Sequence, residues 1–265
     1  MSPLNPIFSD LKGKNVWIIG ASSGIGEACA KLFSSRGANL VISARRKDAL
    51  QRIQSLCQRS DPDPSAIHII PIDVNDEHSV MEATAATLQH WQKIDLLLFV
   101  SGIYEPMRAS TFSYQQAYKT INTNLLGLMR VLDGALPQFL KQGKGHIAIV
   151  SSVAGYSGLP KSLSYGPSKA ALINFAESLY YDLAPQNIGV HLISPGFVAT
   201  PAVAVNDFEM PALISPEEAA IQIVRGLERG EFEIHFPKRF TYLLKVLRLL
   251  PYSIYFWALN RLVKI

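Results

Sequence analysis

The chain has 265 residues, 48% of them hydrophobic, enough for one sizeable or two small globular domains with a full core, and this excludes disorder as a class. Its net charge of +4 divides unevenly: Lys238, Arg239, Lys245, Arg248, Arg261 and Lys264 stand in a C-terminal stretch without an acid, so 237–265 carries +6 and the remainder −2. Cys29 and Cys57 lack ligand spacing to each other or to the histidines at 68, 78, 90, 146, 191 and 235, which argues for reduced, buried thiols and against a metal site. Residues 1–10 are broken by Pro3, Pro6 and polar positions and hold no apolar core, so neither a signal peptide nor an anchor is read there, and the expected location is cytoplasmic.

In chain order, Asn15–Ile19 is an apolar run ending in Gly20-Ala21-Ser22-Ser23-Gly24-Ile25-Gly26, and 27–35 then follows a helical pattern. Strand, glycine turn and helix start let backbone amides approach a pyrophosphate, with the helix N-terminus adding partial positive charge; glycines also mark ordinary turns, and the flanking elements favour the phosphate reading. A second strand, 39–43, ends in Ala44-Arg45-Arg46. Where a fold selecting NAD places an acid against the ribose 2′-hydroxyl, Arg45 and Arg46 can meet a 2′-phosphate; the alternative is a solvated basic loop. A helix is predicted over 47–59, a loop over 61–64, and a third strand over 67–72. That strand stops at Asp73-Val74, where Asp73 can accept from an adenine amino group or cap the next helix.

A fourth strand, 94–100, is followed by Ser101-Gly102, whose glycine lets a cofactor approach the backbone. The stretch 112–140 reads as one helix with Asn122 and Asn124 inside it, costly residues for a helix, and Asn124 is either structural or reaches toward Ser152 and Tyr165. The apolar run 147–150 ends at Ser151-Ser152. Beyond it, Tyr165 and Lys169 lie one turn apart on a helix, since Leu172, Phe175, Ala176, Leu179 and Leu183 recur at helical spacing. An ammonium about 4 Å from a phenol, at an effective dielectric of about 20, favours the phenolate by up to ~4 kcal/mol, roughly three pKa units. The expectation is a tyrosine acidified into a usable acid/base. A sixth strand, 190–193, reaches Ser194-Pro195-Gly196. The loop 197–214 is long and apolar, like a binding loop, and Ser215-Pro216-Glu217-Glu218 has the cap, proline and glutamate of a helix start. A seventh strand covers 233–236.

Strands alternating with helices predict an α/β, doubly wound fold: a seven-stranded, mostly parallel sheet with helices on both faces over 1–236. The tail 237–265 reads as two helices broken at Pro251, a helical extension. Apolar and aromatic residues among cations, with no acid, describe a segment in a membrane interface, which would place the protein at the inner face of a membrane; packing on the body or across a subunit contact is the alternative.

These motifs together resemble the short-chain dehydrogenase/reductase family, in its single-domain Rossmann branch, over 11–236. The glycine turn at Gly20, Ser22, Ser23, Gly24, Ile25 and Gly26, the pair Asp73-Val74, Gly102, the Asn at Asn124, the Ser at Ser152, the Tyr and Lys at Tyr165 and Lys169, and Pro195, Gly196, Val198 and Thr200 fall in the family's order. The resemblance implies an oxidoreductase moving hydride between NADP(H), with NAD(H) as the lesser choice, and a carbonyl/alcohol substrate, apolar if the tail meets a membrane. Ser152 would hold the substrate oxygen, Tyr165 would transfer the proton, Lys169 would hold the nicotinamide ribose, and Asn124 would position a water. It also implies a homodimer or homotetramer and no nucleic acid. One departure stands out: relatives usually carry Asn-Asn-Ala-Gly where this chain has Phe99-Val100-Ser101-Gly102. A cofactor-binding sensor or scaffold and a nucleotide-sugar epimerase are the competing classes; the first has only Phe99-Val100 in its favour, and the second usually needs a larger C-terminal domain.

Overall fold

Short runs dense in Val, Ile and Leu cannot alternate polar and apolar residues, so each needs cover on both faces, and the chain supplies it. In the computed structural model, which describes residues 2–57, 67–206 and 209–263, seven strands form one sheet. They are β1 (Asn15–Ile19), β2 (Asn39–Ser43), β3 (Ile67–Ile69), β4 (Leu96–Phe99), β5 (Gly145–Val150), β6 (Ile188–Pro195) and β7 (Glu233–Phe236). Their order is β3-β2-β1-β4-β5-β6-β7, and every pairing is parallel. Order reverses between β1 and β4, so a crevice opens where those strands end, at Gly20 and Val100.

Helices α1 (Gly24–Ser35), α2 (Lys47–Leu56) and α7 (Pro216–Glu228) bury Phe33, Leu50 and Ile223 against the face that carries Val16 and Ile18. On the other face, α3 (Glu77–His90), α5 (Gly127–Gln142) and α6 (Tyr165–Leu183) bury Val80, Val131 and Leu172 against Trp17 and Ile19. Neighbouring residues of one strand thus serve opposite layers. Trp17 keeps its indole N–H satisfied inside the core by donating to Ser43 Oγ at 3.0 Å.

Several elements differ from the sequence reading. The predicted helix over 112–140 is α4 (Tyr114–Ile121), a π-helical turn over Asn122–Leu126, and then α5, with Pro137 inside. The third strand stops at Ile69 as a regular ladder, although the Ile70 and Ile72 amides still donate to Ile42 and Ala44 carbonyls. Asp73 is not the cap of α3: Asp76 accepts from His78 N–H at 3.0 Å, while the Asp73 carboxylate accepts from Asn75. The apolar Phe99-Val100 pair leaves the ladder whole, because Phe99 is fully buried and Val100 N–H donates to Ile19 O at 2.8 Å. Residues 58–59 of the second predicted helix, the loop 61–64 and Lys264 lie outside the described residues.

The tail forms α8 (Lys238–Arg248) and α9 (Tyr252–Val263), parted at Pro251 as expected. Its inner face packs on the body. Leu247, Tyr255 and Leu259 are buried together with Leu159, Thr241 Oγ1 meets His235 Nδ1 at 2.6 Å, and Lys245 Nζ pairs with Glu233 at 2.5 Å.

Candidate active site

The crevice at the strand ends is a cleft of about 650 Å³, within the size range of small-molecule sites. Of the residues singled out from the sequence, all but Gly26, Asp73 and Asn124 line it. The loop from β1 into α1 makes its floor. Gly20 has φ +94°, and a methyl there would stand 2.6 Å from Ser101 N, so the two strand ends close up only around a glycine. Gly24 has φ +57°, and its methyl would strike Thr200 Cγ2 at 2.7 Å. The Ser23 side chain makes no capping bond to α1, and the opening amides of that helix have no intrahelical acceptor, which leaves them for an anion.

Arg45 and Arg46 are exposed at the mouth and line the same cleft. Glu27 on α1 is taken up by Lys31 and Arg52, both at 2.7 Å, and among the described residues no ion pair neutralises Arg45 or Arg46. A dinucleotide with an extra phosphate fits this donor set: free helix amides on a glycine turn at one point, and two unpaired guanidinium groups at the end of β2. Val74 and Asn75 line the cleft, while the Asp73 carboxylate next to them accepts from Asn75 N–H at 3.0 Å. Asn75 Oδ1 accepts from Asn122 Nδ2 at 2.9 Å and Thr123 Oγ1 at 3.0 Å, which ties this wall to the π-turn.

At the inner end, β5 delivers Ser152 and α6 delivers Tyr165 and Lys169. Ser152 Oγ accepts from Ala154 N–H at 3.1 Å and hydrogen-bonds the Tyr165 phenol. Burial pushes the Tyr165 phenol up to about 12, with the Ser152 bond pulling the other way. Burial also pulls the Lys169 ammonium down to about 8; its Nζ donates to Val150 O at 2.9 Å and lies 5.6 Å from the centre of the Tyr165 ring. This corrects the expected acidified tyrosine. Desolvation outweighs the ammonium here, because Lys169 is itself buried and turned to a carbonyl.

Asn124 is fully buried one layer behind. Its Oδ1 accepts from Ile103 N–H at 2.7 Å, and its Nδ2 donates to Ile103 O and Ser168 Oγ, both at 3.0 Å. A methyl on Gly102 would meet Asn124 Oδ1 at 3.2 Å and Lys169 Nζ at 3.5 Å, so both atoms flank one point. Two residues invisible to spacing stand beside Tyr165 at this end. The Tyr104 ring stands edge-on to Tyr165 at 4.9 Å, and its hydroxyl donates to Asn206 Oδ1 at 2.9 Å. With Leu159, Phe197 and Val203 they make this end mainly apolar. Leu159 also belongs to the tail cluster, and Tyr255 donates to Gly158 O at 2.6 Å, so the tail braces this wall.

Comparison with known proteins places this geometry among relatives. A family model described as short chain dehydrogenase matches residues 14–209. A dehydrogenase/reductase SDR family protein 7-like of Drosophila melanogaster is 30% identical over 97% of this chain and 83% of its own. An 11-beta-hydroxysteroid dehydrogenase-like protein 4A of Arabidopsis thaliana is 33% identical over 83% of this chain and 75% of its own. Among solved structures, a short-chain dehydrogenase from Streptomyces avermitilis shares the fold, with TM-score 0.78 and 21% identity over 90% of this chain and 93% of that one.

Proposed function

This chain belongs to the short-chain dehydrogenase family and is an oxidoreductase, and from that premise we propose that it moves hydride between NADP(H) and a carbonyl/alcohol pair on an apolar substrate. The observation that carries this reading is that one cleft has Arg45 and Arg46 at its mouth and Ser152, Tyr165 and Lys169 at its inner end. The nicotinamide, when bound, supplies or accepts the hydride. Everything else is asked of the chain. Ser152 offers its hydroxyl to the substrate oxygen beside the Tyr165 phenol. Tyr165, held near 12, keeps its proton at neutral pH and hands it to an oxygen becoming an alkoxide, the direction of carbonyl reduction. Lys169, near 8, is close enough to neutrality to return a proton, and Asn124 holds the backbone of Ile103 beside it. Tyr104, Leu159, Phe197 and Val203 exclude water and favour an apolar substrate. The steroid dehydrogenase-like name of the Arabidopsis relative agrees with that class.

A fluorescence titration with NADPH and NADH, followed by a panel of short polar and long apolar ketones, tests this. NADPH should bind more tightly than NADH, and Arg45→Ala with Arg46→Ala should weaken NADPH alone by roughly 10- to 100-fold, the worth of one or two charged hydrogen bonds. Tyr165→Phe should bind NADPH unchanged and lose roughly 10²- to 10⁴-fold in turnover. Equal use of both cofactors, or turnover intact in Tyr165→Phe, would overturn the corresponding part.

A further inference from the structure

The tail has a second face that the body does not use. On α8 and at its C-terminal cap, Arg239, Tyr242, Leu243, Val246 and Leu249 recur at helical spacing and are exposed, with Leu249 83% and Val246 58% exposed, opposite the buried Thr241 and Leu247. On α9, Tyr252, Phe256 and Trp257 are exposed, Trp257 on the side opposite the buried Tyr255 and Leu259. Large apolar side chains gathered on one helix pair, rather than scattered singly, mark an interaction surface.

The charges beside them say what covers this face. The stretch 237–265 has no acid. Lys245 is spent on Glu233 and Lys238 lies 3.6 Å from Glu231, but among the described residues no ion pair takes Arg239, Arg248 or Arg261. Arg261 instead stands 4.6 Å over the Trp257 ring. Cations interleaved with tyrosine, tryptophan and aliphatic residues suit a surface that is anionic outside and apolar just beneath. Among the described residues no helix is long and apolar enough to cross a membrane.

We propose that the outer face of α8 and α9 seats the enzyme on an anionic lipid bilayer. The apolar end of the cleft lies alongside: Leu159 touches both the cleft and the tail cluster, and Leu163 and Val205, neighbours of cleft-lining residues, are exposed. An apolar substrate thus passes from lipid to Tyr165 without crossing bulk water. That last step rests on the reading of the substrate given above; the docking does not.

The chain carries its own probe. Trp17 and Trp91 are buried and Trp257 is exposed, so a shift in tryptophan emission on adding vesicles reports Trp257. The full chain, mixed with phosphatidylcholine vesicles with and without phosphatidylserine, should sediment with the anionic ones at least about tenfold more tightly, with a blue shift that salt weakens. Trp257→Phe should lose the shift. Val246→Glu with Leu249→Glu, both at exposed positions, should abolish sedimentation and leave NADPH binding unchanged, which separates a failure of docking from a failure of the cofactor reading. No sedimentation with either vesicle overturns the proposal. So does a native dimer that ignores vesicles and becomes monomeric in the double variant, since the face would then belong to a second copy.

Discussion

Lys169 is a cation held where a cation is costly. The unfolded chain keeps its proton to about 10.5, whereas the folded one releases it near 8. Between those values the unfolded state binds more protons, so stability rises with pH; below 8 the full cost is present. Lys169→Met should therefore be more stable than the parent at pH 7 by up to about 3 kcal/mol, with the difference closing between pH 8 and 10.5 in urea titrations, while activity is lost. An unchanged difference across that window would show that the ammonium is not desolvated. Ser152, Tyr165 and Lys169 were legible because a strand end and one helical turn place them without help from the rest of the fold. Tyr104, Asn206 and Asn75 were not, since their partners lie 102 or 47 residues away and no periodicity connects loops. The tyrosine's acidity was misjudged for a related reason: spacing shows that a lysine is near, but not that both groups are dry.

At the scale of elements, the helix read over 112–140 was found, but its π-turn was hidden, though two asparagines inside an apolar helix were its trace. The turn puts Asn122 where it reaches Asn75 and accepts from Arg130 at 2.8 Å, and it aims Asn124 at Ile103. In the tail, the break at Pro251 was legible and the inward face was not, because α8 is apolar on both sides, with Leu244 and Leu247 toward the body and Leu243 and Val246 away from it. Tyr255 ties the tail to the cleft wall. Its hydroxyl meets Ser157 Oγ at 3.1 Å as well as Gly158 O, and Leu159 follows directly. Tyr255→Phe keeps the ring and removes these bonds, worth about 1 kcal/mol. It should raise KM for long apolar ketones roughly fivefold with kcat little changed; a fall in kcat alone would show that the tail acts on the chemistry instead.

Across the whole molecule the sheet has two ends with different duties. Its C-terminal edge opens into the cleft, and its other end is sealed by a polar network under the core. Asn5 donates to Val190 O at 2.7 Å, His191 Nδ1 meets Glu231 O at 2.7 Å, and His146 Nδ1 meets His191 Nε2 at 3.0 Å. Burial lowers His146 to about 4 and His191 to about 3. The unfolded chain takes up these protons near 6.5, so stability falls as pH drops from 6.5 toward 4. Unfolding free energies at pH 7, 5.5 and 4.5 should show this slope, and His146→Leu should make it shallower, with His191 keeping the rest; a slope unaltered in that variant would assign acid sensitivity elsewhere. The layered sheet was legible throughout, because an all-parallel sheet writes itself as repeated apolar runs, whereas this seal, made between residues 5, 146, 191 and 231, was not. The two cysteines, read from the sequence as reduced, buried thiols, also make the molecule its own clock. Cys29 is fully buried on α1, and Cys57 is 6% exposed just beyond α2 with its thiol raised to about 11. Neither offers a thiolate to reagent while the fold is shut, so the rate at which a maleimide is consumed counts how often the β1–β3 half of the sheet breathes open, and a single cysteine added at the surface would be labelled alone.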